Sequence, residues 1–134
     1  MRKHHLPKVL AVFLSVSLAA FSTPAISDEV WSVYSREDNG DVHYYDESRI
    51  DRNSSSIKIW QRIQYNTSVM GASSYQGLLE INCSKLTERT LQRTFYSDRD
   101  WNVPAMNTDM KAKRKRSIRK NSATGRLSEI VCAR

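Results

Sequence analysis

The sequence predicts an α+β fold in which an antiparallel meander of five to six strands carries a C-terminal helix on one face. Short segments with apolar residues at every second position follow one another between turn residues, which is typical of antiparallel strands. Only the last segment, residues 121–133, has apolar residues at helical spacing. One of the two cysteines ends a predicted strand, and the other lies in the helical segment.

Residues 1–27 have the organisation of a cleaved secretory signal peptide. A positively charged start is followed by the uncharged apolar residues 9–21, a run shorter than the roughly 20 residues that span a bilayer. Ala25 and Ser27 suit the −3 and −1 positions of a cleavage site. A membrane anchor is the alternative interpretation. We expect an exported single domain, residues 28–134, that is periplasmic or at the cell surface, and no lipoprotein, because no cysteine stands at its start.

The first two strands are predicted at residues 30–34 and 42–46. Asn39-Gly40 between them favours a tight hairpin, because both residues can adopt positive φ. Residues 46–50 (DESRI) are mostly polar, and we interpret them as a single helical turn or loop with Ile50 inserted in the core.

The strongest strand patterns lie at residues 57–65 and 73–83, with a loop at 66–73 between them. The inward face of the first strand is predicted to carry Ile57, Ile59, Ile63 and Tyr65. The inward face of the second is predicted to carry Tyr75, Gly77, Leu79, Ile81 and Cys83. We expect Ile59, Ile63, Leu79 and Ile81 to be buried, because they alternate in these two strands.

Residues 86–96 alternate again and predict another strand, although residues 88–93 alone also fit a helix. Residues 97–110 have no periodicity. Three apolar residues are expected to pin them to the body of the domain: Trp101, Val103 and Met106. Residues 113–118 are predicted to form a last short edge strand.

Residues 121–133 are predicted to form the helix, with Ser122 or Thr124 as its N-cap. Its apolar side is predicted to carry Leu127, Ile130 and Val131. Since an exported chain meets an oxidising compartment, Cys83 and Cys132 are predicted to form a disulfide that clamps the helix to the sheet. Two free buried thiols are the alternative, which such a compartment disfavours.

Charge is concentrated in one decapeptide, the basic segment of residues 111–120. Lys and Arg number 21 and Asp and Glu 14; three cations lie in the leader, so the mature chain has 18 cations and a net charge of +4. Seven of the 18 are Lys111, Lys113, Arg114, Lys115, Arg116, Arg119 and Lys120. Without these seven the mature chain sums to −3. The segment is therefore a candidate polyanion-binding site for anionic glycans, lipopolysaccharide or acidic protein. A solvated edge strand protected by its cations explains it equally well.

No residue cluster predicts catalysis, a metal or a cofactor. His43 is the only histidine of the mature chain, and no partner base or nucleophile is indicated for it. Two cysteines without a partnering histidine are too few ligands for zinc. The aspartates near residues 38–51 fit no recognised calcium loop. Nucleic acid is not expected as a partner, because no aromatic residue is interleaved with the cations for base stacking.

At this point the ordered residues resemble the surface-adhesin protein E family of Gram-negative bacteria. The set that carries the resemblance is Trp31, Tyr44–Asp46, Ile50, Ile57–Trp60, Tyr65, Ser74, Leu79–Cys83, Thr94–Ser97 and Cys132. The resemblance implies a six-stranded antiparallel sheet, a C-terminal helix held to its concave face by a disulfide, and a homodimer. It also implies binding of the host proteins vitronectin, laminin and plasminogen.

This chain departs from the family in two ways. It lacks a lipidation cysteine, and it carries KRKRSIRK where relatives usually carry a Gly/Pro-rich stretch and a tryptophan. Two classes of function follow from the sequence. One is an exported, non-enzymatic adhesin that binds host matrix or polyanions. The other is a periplasmic structural or envelope protein without an external ligand.

Overall fold

A computed structural model describes residues 19–22, 28–53 and 55–133. The predicted signal peptide and its cleavage site lie mainly outside these described residues. The described residues form six strands and one helix: β1 (Trp31–Arg36), β2 (Val42–Arg52), β3 (Ser56–Val69), β4 (Ala72–Asn82), β5 (Thr87–Tyr96), β6 (Arg116–Ser117) and α1 (Ala123–Cys132). The strands form a single antiparallel sheet in sequence order. The predicted α+β meander with a C-terminal helix is therefore confirmed.

The turns of the first three strands differ in detail from the sequence prediction. The hairpin before β2 closes through a hydrogen bond from the Glu37 N–H to the Asp41 carbonyl at 2.9 Å, so it is longer than the two-residue turn that Asn-Gly favours. Residues 66–73 were predicted to form a loop. They instead belong to the end of β3 and the start of β4, with a two-residue turn between the strands. Met70 and Gly71 both have positive φ, 51° and 82°, which suits a tight hairpin between twisted strands.

The helical turn predicted at residues 46–50 is wrong, because β2 continues through it. The pairing with β3 is interrupted between Tyr45 and Ile50. Asp46 is fully buried there and accepts hydrogen bonds from the Ser48 N–H at 2.9 Å and the Val30 N–H at 3.2 Å. These local bonds satisfy the irregular backbone. They let the strand resume with Ile50 packed against the core, as predicted.

The core lies between α1 and one face of the sheet. The buried cluster consists of Tyr34, Ile57, Ile59, Leu79, Ile81, Leu127 and Val131. Of the predicted core residues, Ile63 is only partly buried. The helix prediction was wrong for Ile130, which is 37% exposed. Leu127 and Val131, one turn apart, are the residues of α1 in the buried apolar cluster, and Ile130 lies to one side of them.

Specific contacts define both ends of α1. Ser122 is the N-cap, and its hydroxyl accepts a hydrogen bond from the Gly125 N–H at 3.0 Å. At the other end, the predicted disulfide joins Cys132 to Cys83, with 5.6 Å between the two Cα atoms. Arg52 adds a hydrogen bond to the carbonyl of Val131 at 2.6 Å. The disulfide therefore clamps the helix to the sheet, as the sequence predicted.

The outer edge of β5 is covered by residues 103–118, which we call the rim. Its backbone follows β5 in the antiparallel sense: the Ala105 N–H donates to Phe95 at 2.8 Å, and the Lys113 N–H donates to Thr90 at 2.7 Å. The strand interpretation of residues 86–96 is thus confirmed, and β6 is the short edge strand predicted within residues 113–118.

Of the three apolar residues expected to pin residues 97–110, only Trp101 does so. Its indole N–H donates to the Tyr75 carbonyl at 2.9 Å. Val103 and Met106 are 55% and 58% exposed, so that part of the prediction was wrong. The rim is held by its backbone, which leaves these side chains free to face outward.

Candidate functional site

The basic segment begins within the rim and continues past it towards α1. Six of its seven cations are exposed, and Lys113 is partly buried. The backbone of the segment is fixed because Thr87 and Glu88 of β5 pair with Ser117 and Arg116. The cations therefore project from an ordered sheet edge.

Two cations of the segment hold it to the domain. The Lys113 ammonium donates to Asp109 at 2.5 Å, and Arg93 of β5 approaches the same carboxylate at 3.4 Å. This hydrogen bond from Lys113, the largest cause, lowers the pKa of Asp109 to about 2. Arg116 donates to Glu88 at 2.9 Å. These acids anchor the segment and neutralise little of its charge.

The remaining five cations make no ion pair within the described part of the chain. They are Lys111, Arg114, Lys115, Arg119 and Lys120. Clustered charges without acidic partners create a local positive potential that attracts anions. The sequence predicted this cluster, and the structure leaves most of it available to a ligand.

The structure brings several of these cations together around two adjoining pockets. The first has a volume of about 290 Å³ and is lined by Thr90, Arg93, Lys113, Arg114, Lys115 and Arg116. The second has a volume of about 530 Å³, and Arg116 and Arg119 line it together with Glu88 and the start of α1. Lys111 and Lys120 lie outside the linings of both pockets. Sequence reasoning missed Arg93 and Thr90, because their place beside the segment depends on the pairing of the rim with β5.

A second cluster lies on the sheet face opposite α1 and contains all three tryptophans of the chain, Trp31, Trp60 and Trp101. The Arg62 guanidinium lies 4.2 Å from the ring centroid of Trp31 and 4.9 Å from that of Trp101. Partial burial lowers the pKa of Arg62. Trp60 and Arg62 are two residues apart on β3 and share one strand face, but the other members come from distant segments.

The polar groups of this tryptophan–arginine cluster are already paired with one another. Glu29 contacts Arg49 at 2.9 Å and Arg62 at 3.5 Å, and it also accepts a hydrogen bond from the Trp31 indole at 2.9 Å. Arg62 donates in addition to Gln76 at 2.7 Å. Aromatic and arginine side chains are common anchors in interfaces, but here they stack on and bond to each other. These contacts within the cluster stabilise the outer sheet face, and this role accounts for the cluster.

His43 occupies a place that suits packing better than catalysis. Its Nδ1 lies 3.4 Å from the Tyr34 hydroxyl, which donates to Gln61 at 2.9 Å. Burial lowers the pKa of the imidazole. Among the described residues there is no group of three or more histidine, cysteine or carboxylate side chains that could hold a metal ion. Within the same part of the chain, no helix has the length and apolar character needed to cross a membrane.

Comparisons with known proteins agree with this architecture. The structure is similar to two solved structures of protein E from Haemophilus influenzae, the first of them in crystal form II, with TM-scores of 0.57 and 0.55. Sequence identity is 15% in both cases; the similarity covers 68% of this chain and 80% and 76% of the respective protein E chains. At this identity the likeness shows the fold alone. No curated protein matches the chain in sequence.

A family profile extends the comparison beyond the fold. The profile described as surface-adhesin protein E matches residues 31–133, from the first strand to the residue after the last helix. The match includes both disulfide cysteines and the whole basic segment. The chain belongs to the surface-adhesin protein E family.

Proposed function

We propose that this chain is an exported, non-enzymatic, adhesin-like binding protein whose basic segment binds polyanions at the cell surface. Family membership supports an adhesin-like role. The mature protein would be residues 28–134 after removal of the signal peptide. Its partners would be anionic glycans or lipopolysaccharide, or acidic patches of host matrix proteins, contacted by Lys and Arg side chains.

The observation that carries this proposal is the set of exposed, unpaired cations on an ordered edge. Five of the seven basic side chains have no acidic partner in the described part of the chain, and the rest of the mature sequence is net negative. A dispersed surface charge would serve solubility equally well, whereas clustered charge of one sign repels itself. The two pockets that share Arg116 support the proposal, because the anionic groups of a ligand would find cations in both of them.

Retention on a heparin column tests the proposal. The variant Lys111→Gln/Arg114→Gln/Lys115→Gln removes three cations and spares the ion pairs of Lys113 and Arg116. We expect it to elute at clearly lower salt than the wild type, because fewer counterions are released on binding.

The matched control is Arg36→Gln/Lys58→Gln/Arg99→Gln, which removes the same charge from other parts of the surface. It should elute close to the wild type if the basic segment is the binding site. Equal elution of all three proteins would reject the polyanion site. Equal losses in the two variants would show that net charge alone governs retention.

A periplasmic structural protein remains the second candidate, and one observation favours it. The rim covers the outer edge of β5 with backbone hydrogen bonds, and cations on an edge strand prevent association between sheets. Cell fractionation separates the two candidates: protease digestion of intact cells would remove a surface-exposed protein, whereas a periplasmic one would be released by osmotic shock.

A further inference from the structure

The rim exposes apolar side chains next to its cations. Val103, Met106 and Met110 are 55%, 58% and 67% exposed. Met110 directly precedes Lys111, the first cation of the basic segment. One edge of the sheet therefore presents apolar and basic side chains in succession.

This arrangement has a fixed backbone. Asp109 exchanges hydrogen bonds with Arg93 of β5 at 2.9 and 2.8 Å, and the Ser97 N–H donates to Val103 at 2.9 Å. The segment between these contacts includes Met106, and Met110 follows immediately. The apolar side chains are thus held at the sheet edge, and their binding to a partner costs little ordering of the backbone.

We propose that the rim docks on an anionic phospholipid bilayer, with its cations on the phosphates and its methionines in the boundary between headgroups and acyl chains. The inference rests on the proposed function in one respect: the basic segment must bind anions. Interfacial protein segments combine basic and apolar side chains in this way, and a polybasic stretch is attracted to the negative surface potential of the membrane.

An anionic bilayer is favoured because its phosphates complement the cations of the rim and its acyl chains complement the exposed methionines. Residues 103–120 contain seven cations and one acid, Asp109, whose carboxylate is already paired with Lys113. A sulfated glycan would match the cations but leave the methionines without an apolar contact. A protein partner usually engages aromatic anchors, and residues 103–120 contain no aromatic residue. Methionine is flexible and adapts to an irregular apolar boundary.

Co-sedimentation of the mature chain with phospholipid vesicles tests the proposal. The vesicles are phosphatidylcholine with about one third phosphatidylglycerol, and phosphatidylcholine alone serves as the neutral comparison. The wild type should sediment with the anionic vesicles and remain in solution with the neutral ones. Met106→Ser/Met110→Ser should weaken vesicle binding by about tenfold, because two apolar side chains lose their burial. The same variant should keep the wild-type elution salt on heparin.

The control is Val69→Ser/Met70→Ser at the turn between β3 and β4, where the two residues are 42% and 98% exposed. This pair lies outside the rim and should leave vesicle binding unchanged. Equal binding of the wild type and the Met106/Met110 variant, or equal losses in both apolar variants, would overturn the lipid proposal. Wild type that binds heparin but not the anionic vesicles would also overturn it and leave the proposed function standing. A wild-type protein that is not retained on heparin would instead refute the proposed function.

Discussion

Arg116, whose side chain is 75% exposed, donates a hydrogen bond at 2.9 Å to the carboxylate of Glu88, whose side chain is only 9% exposed. The two residues also face each other in the backbone pairing of β5 and β6. This pair joins the most basic stretch of the chain to the edge of the buried core. Arg116 therefore has a structural contact that the neighbouring Arg114 and Lys115 do not share.

Replacement of Arg116 should affect stability as well as charge. Arg116→Gln is expected to lower the free energy of unfolding by about 1 kcal/mol, because an exposed ion pair contributes little but Glu88 loses a partner for its nearly buried carboxylate. Arg114→Gln, which breaks no ion pair, is the matched control and should leave the urea midpoint unchanged. Indistinguishable midpoints for the two variants would show that the contact with Glu88 has no net value.

Reduction of the disulfide should strongly destabilise the domain. Cys83 and Cys132 are separated by 49 residues, and closure of a loop of this length contributes about 4 kcal/mol in the chain-entropy account. We expect the urea midpoint of residues 28–134 to fall markedly with dithiothreitol. The double variant Cys83→Ser/Cys132→Ser should show the same low midpoint with or without reductant. An unchanged wild-type midpoint under reducing conditions would contradict the clamping role.

Gly125 is predicted to be intolerant of a side chain although it lies in a helix. A Cβ atom there would clash with the carbonyl oxygen of Arg119 and stand 2.5 Å from that of Lys120. Gly125→Ala should therefore destabilise the domain by about 1–3 kcal/mol through overpacking, despite the roughly 1 kcal/mol that alanine gains over glycine in helices. Thermal unfolding measures this change. A stabilised variant would mean that residues 119–120 move away without cost.

Acidification should weaken the fold before the carboxylates titrate. Burial lowers the pKa of His43 below its ordinary value of 6.5. The imidazole therefore binds a proton more readily in the unfolded chain than in the folded chain. The corresponding stability is complete above about pH 6.5 and is lost as the pH falls through the lowered pKa of the folded state. Hydrogen bonds lower the pKa of Asp46 despite its burial, so its contribution is lost only below its ordinary value of 3.8.

The melting temperature measured from pH 7.5 to pH 5 checks this prediction. The wild type should lose stability over this range. His43→Gln removes the only histidine of residues 28–134 and should flatten the dependence. An equal dependence of the melting temperature on pH in both proteins would show that other titratable groups cause the loss of stability.

Regular alternation and local signals determined most of the fold in advance. The β3 and β4 patterns predicted which faces are buried, because side chains of a strand alternate between its two faces. Ser122 was one of two predicted N-caps, since its hydroxyl can satisfy a free helix N–H regardless of the rest of the fold. The disulfide was predicted from two cysteines in a chain that was expected to be exported. The basic segment was visible as composition alone.

Tertiary structure decided the features that depend on partners distant in sequence. Residues 46–50 continue β2 although they look like a turn, because Asp46 satisfies the irregular backbone from within the core. Val103 and Met106 face outward because backbone hydrogen bonds to β5 hold the rim. Residues 97–110 have no sequence periodicity that predicts this pairing. The contacts of Arg116 with Glu88 and of Arg62 with Trp31 and Trp101 join separate segments. The sequence by itself determined that the chain carries a dense cluster of cations. Only the packing of the rim on β5 decided which of them remain free to bind, because an ion pair depends on distance in space.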